Sequence, residues 1–321
     1  MKTTRKVALT IIIIALVLLA AVMLLAGPVL CNYVVKPQWH GQDLDYTMEY
    51  MDEEYGLGDW FKSLQDEGSI KDTVIVGEHG VNIHAAYFAA ADPENAPGTA
   101  FIIHGYTCNY RYMLHIARMY REDLGYNVFM PDLQHHGLSE GEAIQMGWLD
   151  RLDVIRWIDV ARDVFHDDFM VIHGISMGGA TTMMVSGEAL PPFVRAFVDD
   201  CGYTDVWAEL KYKFRQEFKL PSWPFLDLAD RYCQKHYGWG FKEASSTAQL
   251  AKSTGPMLFI HGDSDDYVPT AHVYGCFEAK THGYKELWLA PDTGHADSYK
   301  NHPDEYRDKV AAFLAKVKEN Y

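Results

Sequence analysis

Positive charge is in short supply in this chain. Lys and Arg number 28 against 44 Asp and Glu, a formal net charge of −16 over 321 residues. Three of those basic residues, Lys2, Arg5 and Lys6, lie in the first thirty positions, which hold no acid, so the remainder carries 25 basic against 44 acidic residues, a formal −19. Such a chain lacks the basic face that a phosphate backbone demands, and no nucleic-acid partner is expected. The same acidic balance argues against electrostatic docking on an anionic lipid surface. Cysteine is also sparse: Cys31, Cys108, Cys201, Cys233 and Cys276 form no CxxC and no zinc-type spacing. Buried free thiols are the expectation. Low-complexity runs and repeats at solenoid spacing are missing too. With 48% hydrophobic and 22% charged residues the composition is globular.

One long apolar run is present, from Val7 to Leu30. It exceeds the about 20 residues that a helix needs to cross the hydrocarbon core. A secretory signal has a shorter apolar core that ends in small residues. Here Pro28-Val29-Leu30 precede Cys31, which suits neither that cleavage site nor a lipoprotein cysteine. Residues 1–31 therefore read as an uncleaved transmembrane anchor, with a cleaved signal segment as the alternative. The basic flank stays in the cytoplasm under the positive-inside rule, which puts the body of the chain outside, or secretes it if the segment is cut.

Residues 32–71 read as a linker leading into an amphipathic helix. From 72 to 321 the pattern alternates. "DTVIVGEHGVNIHAAYF" is a hairpin turning at Glu78-His79-Gly80. "TAFIIHG", "NVFMPD", "DFMVIHG", "VRAFVDD", "PMLFIHG" and "YKELWLAPD" are apolar strands. Helical spacing separates them, as in "YRYMLHIARMYREDLG" and "MGWLDRLDVIRWIDVARDV", and the chain ends in a helix over "DEYRDKVAAFLAKVKENY". This is an α/β arrangement, a mostly parallel sheet covered on both faces. One stretch, about 203–252, interrupts it with many aromatic residues, among them Trp207, Phe214, Trp223 and Trp239. It reads as a small helical cap over the C-terminal edge of the sheet.

Gly174-Ile175-Ser176-Met177-Gly178 is a G-x-S-x-G sequence placed between a strand and a helix. That context makes Ser176 a nucleophile on a sharp turn, with the backbone N–H of Met177 as one oxyanion donor. A serine hydroxyl needs a base, and in this architecture an acid and then a histidine follow it along the chain. The loop "FIHGDSDDYVP" offers Asp263, Asp265 and Asp266, with Asp199 and Asp200 as lesser rivals. The loop "APDTGHADSY" offers His295, which alone among His272, His282, His295 and His302 follows a strand end in a Gly-His turn.

These segments, together with "IIHGYT", "MPDLQHHGLSEG" and "DDCGYTD", resemble the α/β-hydrolase superfamily, and more narrowly the YqkD-like and serine-aminopeptidase-like bacterial hydrolases. The resemblance runs from about Asp72 to the end. It implies an α/β-hydrolase fold with a small helical cap. The family's H-G-x-x-D-x-x-V-P register, laid on His261 to Pro269, selects Asp265 as the acid. The residue after His-Gly supplies the second oxyanion donor, which here is the backbone N–H of Tyr106. Asp132, His135 and His136 invite a metal, but adjacent side chains in an extended loop point apart, and the resemblance gives that loop a bracing role. Cys201 is structural on the same footing.

The expected activity is cleavage of carboxylic esters through an acyl-enzyme, with a Ser176-His295-Asp265 triad, no cofactor and no metal. The aromatic cap suits a small-molecule ester with an apolar or aromatic group. Two alternatives stand beside it: a peptidase or amidase of the serine-aminopeptidase type, and a non-catalytic binding protein on the same scaffold.

Overall fold

The computed structural model describes residues 2–37 and 43–320. The chain opens with α1 (Lys2–Val35), followed by two short helices, α2 (Leu44–Tyr55), capped by the Asp43 carboxylate, and α3 (Gly58–Asp66). The hairpin β1 (Lys71–Val76) and β2 (Asn82–Phe88) comes next, then β3 (Thr99–Ile103), α4 (Leu114–Arg118), β4 (Asn127–Pro131) and α5 (Asp150–Phe165). β5 (Met170–Ile175), α6 (Met177–Ser186) and β6 (Val194–Asp200) form the centre. Three helices then intervene, α7 (Val206–Phe218), α8 (Phe225–Tyr237) and α9 (Ser246–Leu250), before β7 (Met257–Gly262), α10 (Ala271–Ala279), β8 (Lys285–Ala290), α11 (Ser298–Asn301) and α12 (Pro303–Asn320).

The strands form one sheet in the order β1-β2-β4-β3-β5-β6-β7-β8. β1 and β2 pair antiparallel, β2 meets β4 antiparallel, and every later pair is parallel. Burial follows from composition. The mostly apolar β3, β4, β5 and β7 are buried at every position, as strands covered on both faces must be. The outermost β1 alternates exposed with half-buried positions and begins with Lys71 and Asp72, charges that blunt an open edge. One core lies between the sheet and α5 and α6, and another lies under α4 and α12. The C-terminal ends of β3, β5, β6, β7 and β8 therefore open on one rim.

Three local departures from the sequence pattern have physical causes. The helix expected over Tyr110–Gly125 is a 3-10 turn (Tyr110–Met113), α4, and a π turn (Met119–Asp123). The Tyr120 side chain lies fully in the core, where its hydroxyl meets His173 Nδ1 at 3.1 Å. The helix expected from Met146 starts at Asp150, because Gly147 adopts φ 82° and donates its N–H to the Asp150 carboxylate at 2.9 Å. Finally, α1 does not break at Cys31.

Residues 7–25 of α1 are exposed apart from half-buried Met23, and the segment Arg5–Val35 is long and apolar enough to cross a membrane. From Ala26 onward the helix is packed against protein. A side chain at Gly27 would stand 2.9 Å from the Leu228 carbonyl, the Cys31 and Cys233 thiols touch, and Asn32 accepts from the Tyr237 hydroxyl at 2.8 Å. Its last carbonyls are also taken: Val35 accepts from the Ile144 N–H at 2.8 Å and Val34 from the Tyr106 hydroxyl at 2.6 Å. Those bonds satisfy acceptors that a helix end leaves open, and they continue α1 past the expected boundary.

Candidate active site

Ser176 sits at the turn from β5 into α6 with φ 59° and ψ −118°, a left-handed conformation that costs a non-glycine residue about 1–3 kcal/mol. The neighbouring glycines make the turn possible. A Cβ on Gly174 would lie 2.0 Å from the Gly178 carbonyl oxygen, and one on Gly178 would lie 2.1 Å from that of Ile103. The Ser176 N–H donates to the Asp200 carbonyl at 2.7 Å, which ties the turn to the end of β6. The hydroxyl is thus held at the N-terminus of a fully buried helix, where the dipole favours a developing anion.

The loops after β7 and β8 bring the other two expected residues to this hydroxyl. His295 Nε2 lies 2.8 Å from Ser176 Oγ, and His295 Nδ1 lies 2.7 Å from Asp265 Oδ2. A carboxylate only accepts, so the proton of the neutral ring rests on Nδ1 and Nε2 is left to accept from the serine. Asp265 Oδ1 accepts from the backbone of Tyr267 and Val268 at 2.9 and 3.0 Å. Burial alone would raise the Asp265 carboxyl, but hydrogen bonds from His261 and His295 hold it well below the usual carboxylate range.

The rival acids and histidines have other work. Asp263 takes the Ser264 hydroxyl, and Asp266 is exposed, its backbone carbonyl accepting from the Tyr212 hydroxyl. Asp199 and Asp200 are buried, which pushes their carboxyls up to about 7 and about 6, and they bind Gly202, Tyr306 and Ser298 rather than His295. His272 faces Glu209, and His302 bonds the Pro291 carbonyl.

On the opposite side, Gly105 faces the serine: a Cβ there would come 3.5 Å from that of Ser176. Neither the Tyr106 nor the Met177 backbone N–H meets an acceptor among the described residues. Two buried imidazoles brace this loop. His104 Nε2 accepts from the Leu133 N–H at 3.0 Å, and His136 Nε2 accepts from Thr107 at 3.3 Å. Burial lowers both and keeps them neutral, so they can accept. Asp132, His135 and His136 share no ion site. Asp132 binds His84, Tyr110 and Leu138, while His135 bonds the Gly141 carbonyl.

Cys201, Asp265 and His295 do bring ligand-type atoms within 4.8 Å of one another. The donor set fits a metal poorly. Burial drives the Cys201 thiol up, so it stays protonated, and Asp265 is already committed to four donors.

Several further residues, with no role expected from the sequence, support the triad. His261, fully buried, holds Asp265 Oδ2 at 3.2 Å and the Val268 carbonyl at 2.9 Å. The Tyr267 ring covers His295 with centroids 4.8 Å apart. A cavity of about 740 Å³ opens beside Ser176, walled by Leu210, Phe214 and Leu226 of the inserted helices and by Val29, Leu30 and Tyr33 of α1. A smaller one of about 280 Å³ lies on the other side, under Tyr55, Tyr112 and His115. Glu209 lines the larger cavity. It is 5% exposed, its carboxylate oxygens take no hydrogen bond among the described residues, and His272 Nε2 stands 3.4 Å away. The apolar run from Leu30 through Val35, broken only by Asn32, was the available signal for the α1 wall.

Similarity to known proteins places the chain in a family. The uncharacterized protein YqkD of Bacillus subtilis is 32% identical over 242 residues, 75% of this chain and 78% of its own length. The uncharacterized membrane protein YNL320W of Saccharomyces cerevisiae is 26% identical over 223 residues, 69% of this chain and 72% of its own. The esterase Pf2001 of Pyrococcus furiosus superposes with a TM-score of 0.62 at 22% identity, over 79% of this chain and 95% of that one, which shows a shared fold. The prolyl oligopeptidase family matches residues 140–320, the span that holds Ser176, Asp265 and His295. The expected resemblance holds at this level, and the chain belongs to the prolyl oligopeptidase family of α/β-hydrolases.

Proposed function

We infer that this serine hydrolase cleaves carboxylic esters through an acyl-enzyme. The observation that carries the reading is the unbroken relay from Ser176 Oγ to His295 to Asp265, at 2.8 and 2.7 Å. In this mechanism His295 Nε2 takes the Ser176 proton as Oγ bonds the ester carbonyl carbon. The carbonyl oxygen becomes an anion and accepts from the free N–H groups of Tyr106 and Met177. The C–O bond to the alcohol then breaks, and the leaving oxygen takes the proton from His295. A water attacks the acyl-serine with His295 again as base, and the acid departs with Ser176 restored. Asp265 holds the ring tautomer and stabilises its cation throughout. The two cavities give the acyl and alcohol portions separate places on either side of the nucleophile. In this reading α1 anchors the protein in a membrane with the hydrolase outside. The basic flank of Lys2, Arg5 and Lys6 supports the orientation, and the description of the yeast relative as a membrane protein supports the anchoring.

A second reading, an amidase or peptidase, is favoured by Glu209, a buried carboxylate on the cavity wall able to meet a substrate amine. Parallel assays of the full chain on p-nitrophenyl butanoate and on aminoacyl-naphthylamides separate the two. Ester turnover at least a hundredfold above amide turnover is expected. The reverse ratio, abolished by Glu209→Gln, would establish the peptidase. A fluorophosphonate that fails to label Ser176 would instead leave a binding protein.

A further inference from the structure

We propose that the substrate is a long-chain acyl amphiphile drawn from the bilayer that holds α1, with the membrane helix itself forming part of the acyl-chain pocket. The proposal rests on the ester-hydrolase reading above and names its substrate class. Three observations converge on it.

The first is the composition of the larger cavity. Val29, Leu30, Leu210 and Phe214 make an apolar wall, while Glu209, Lys213 and Glu217 make a charged one. A cavity of about 740 Å³ with two such walls suits a molecule that has an apolar tail and a polar end.

The second is position along α1. A hydrocarbon core takes about 20 helical residues, which counted from Val7 ends near Ala26. That is where burial against protein begins. At about 1.5 Å per residue, Leu30 stands only about 6 Å beyond this point. The cavity therefore opens at the depth where acyl chains meet headgroups, so a tail enters it without crossing bulk water.

The third is the rim. Contacts climb α1 and α8 together: Gly27 meets Leu228, Cys31 meets Cys233, and Lys36 lies over the Tyr237 ring. The two helices run parallel, so the segment leading into α8 lies on the membrane side of the Gly27 contact. That segment exposes Leu220 at 48% and Trp223 at 74%, while Phe218, at the end of α7 and 42% exposed, meets the edge of Tyr33 on the side of the Gly27 contact away from the bilayer. Its one charged residue between Phe218 and Leu226 is Lys219. Aromatic residues with a basic side chain that can reach headgroups are what a membrane interface selects. In water the same cluster would be an apolar liability.

The test uses the full chain in phosphatidylcholine vesicles, with p-nitrophenyl dodecanoate and butanoate as acyl probes and monooleoylglycerol embedded in the vesicles as a bilayer-borne ester. The wild type is expected to prefer dodecanoate over butanoate at least tenfold in kcat/KM and to cleave the embedded ester. Leu30→Trp fills the wall and should lower the dodecanoate-to-butanoate ratio at least tenfold. Trp223→Ser, at an exposed position that tolerates change, should lower embedded-ester turnover relative to dissolved butanoate at least threefold, and it decides the matter alone if Leu30→Trp does not fold. Butanoate cleavage with both ratios unmoved overturns the proposal and leaves the hydrolase reading standing. No turnover of any ester overturns both.

Discussion

Two histidines in this protein stand in nearly the same local setting and do different things. His295 has a carboxylate on Nδ1 at 2.7 Å and a hydroxyl on Nε2 at 2.8 Å. His84 has carboxylates on both nitrogens, Asp132 and Asp72, each at 2.9 Å. Burial works against charge on His84, but its hydrogen bonds to the two aspartates outweigh burial and raise its pKa, which favours the charged ring. A ring flanked by two acceptors has nothing to deprotonate and nowhere to send a proton. A ring flanked by one acceptor and one weakly acidic hydroxyl has both. The pairing of histidine with aspartate therefore marks no site by itself. The third group and the open space beside it decide, and Ser176 lines both cavities while His84 is shut in the packing between β2 and the loop after β4.

The contrast can be broken from either side. Ser176→Ala removes the hydroxyl that distinguishes His295 and should cut ester turnover by about 10⁶-fold, with an unchanged melting temperature. Retained turnover in pure variant protein would sink the assignment. Asp265→Asn turns the ring to the wrong tautomer and should cost about 10⁴ in kcat. A loss of less than tenfold would hand the role of the acid to another group. Asp132→Asn strikes the other cluster. It weakens a buried ion pair and two backbone caps, so the expected loss is about 3 kcal/mol of stability, seen in the denaturant midpoint, with kcat per folded molecule changed less than tenfold. If kcat collapses while the midpoint holds, the two clusters are not separate in function.

The smallest effect is in pH. The His84 pKa is raised in the folded state above its ordinary 6.5. Its contribution to stability is thus complete below about pH 6.5 and is lost as pH rises through the folded value. The stability gap between wild type and His84→Gln should narrow toward alkaline pH. A gap that is flat or widens from pH 6 to pH 9 would show that His84 is not held as a cation.

Much of this was legible in the sequence because strand-turn-helix punctuation is local. The glycines around Ser176 announce a turn that only small residues allow, and the apolar strands place the loops of Asp265 and His295 on one rim. Choosing Asp265 over Asp263 and Asp266 needed the family register, since three carboxylates within four positions look alike until the backbone fixes which one points inward. The backbone does so by donating Tyr267 and Val268 N–H groups to Asp265. The docking of α1 on α8 was not legible. It depends on a close approach at Gly27 and on partners some two hundred positions away, and an apolar run looks the same whether lipid or protein covers it. The π turn at Met119–Asp123 was hidden for a similar reason, because helical spacing does not reveal where one residue too many is accommodated.

The Tyr106 hydroxyl is bonded to the Val34 carbonyl, while Gly105 just before it faces the serine. A proteolytic cut after Leu30 would therefore shed more than a tether. It would free residues 2–30, most of α1, to leave, take Val29 and Leu30 from the pocket, and slacken the strut from α1 to the residue whose amide is proposed to steady the reacting oxygen. A soluble, shed form should be a blunter catalyst with a gaping groove, content with short esters and indifferent to tail length.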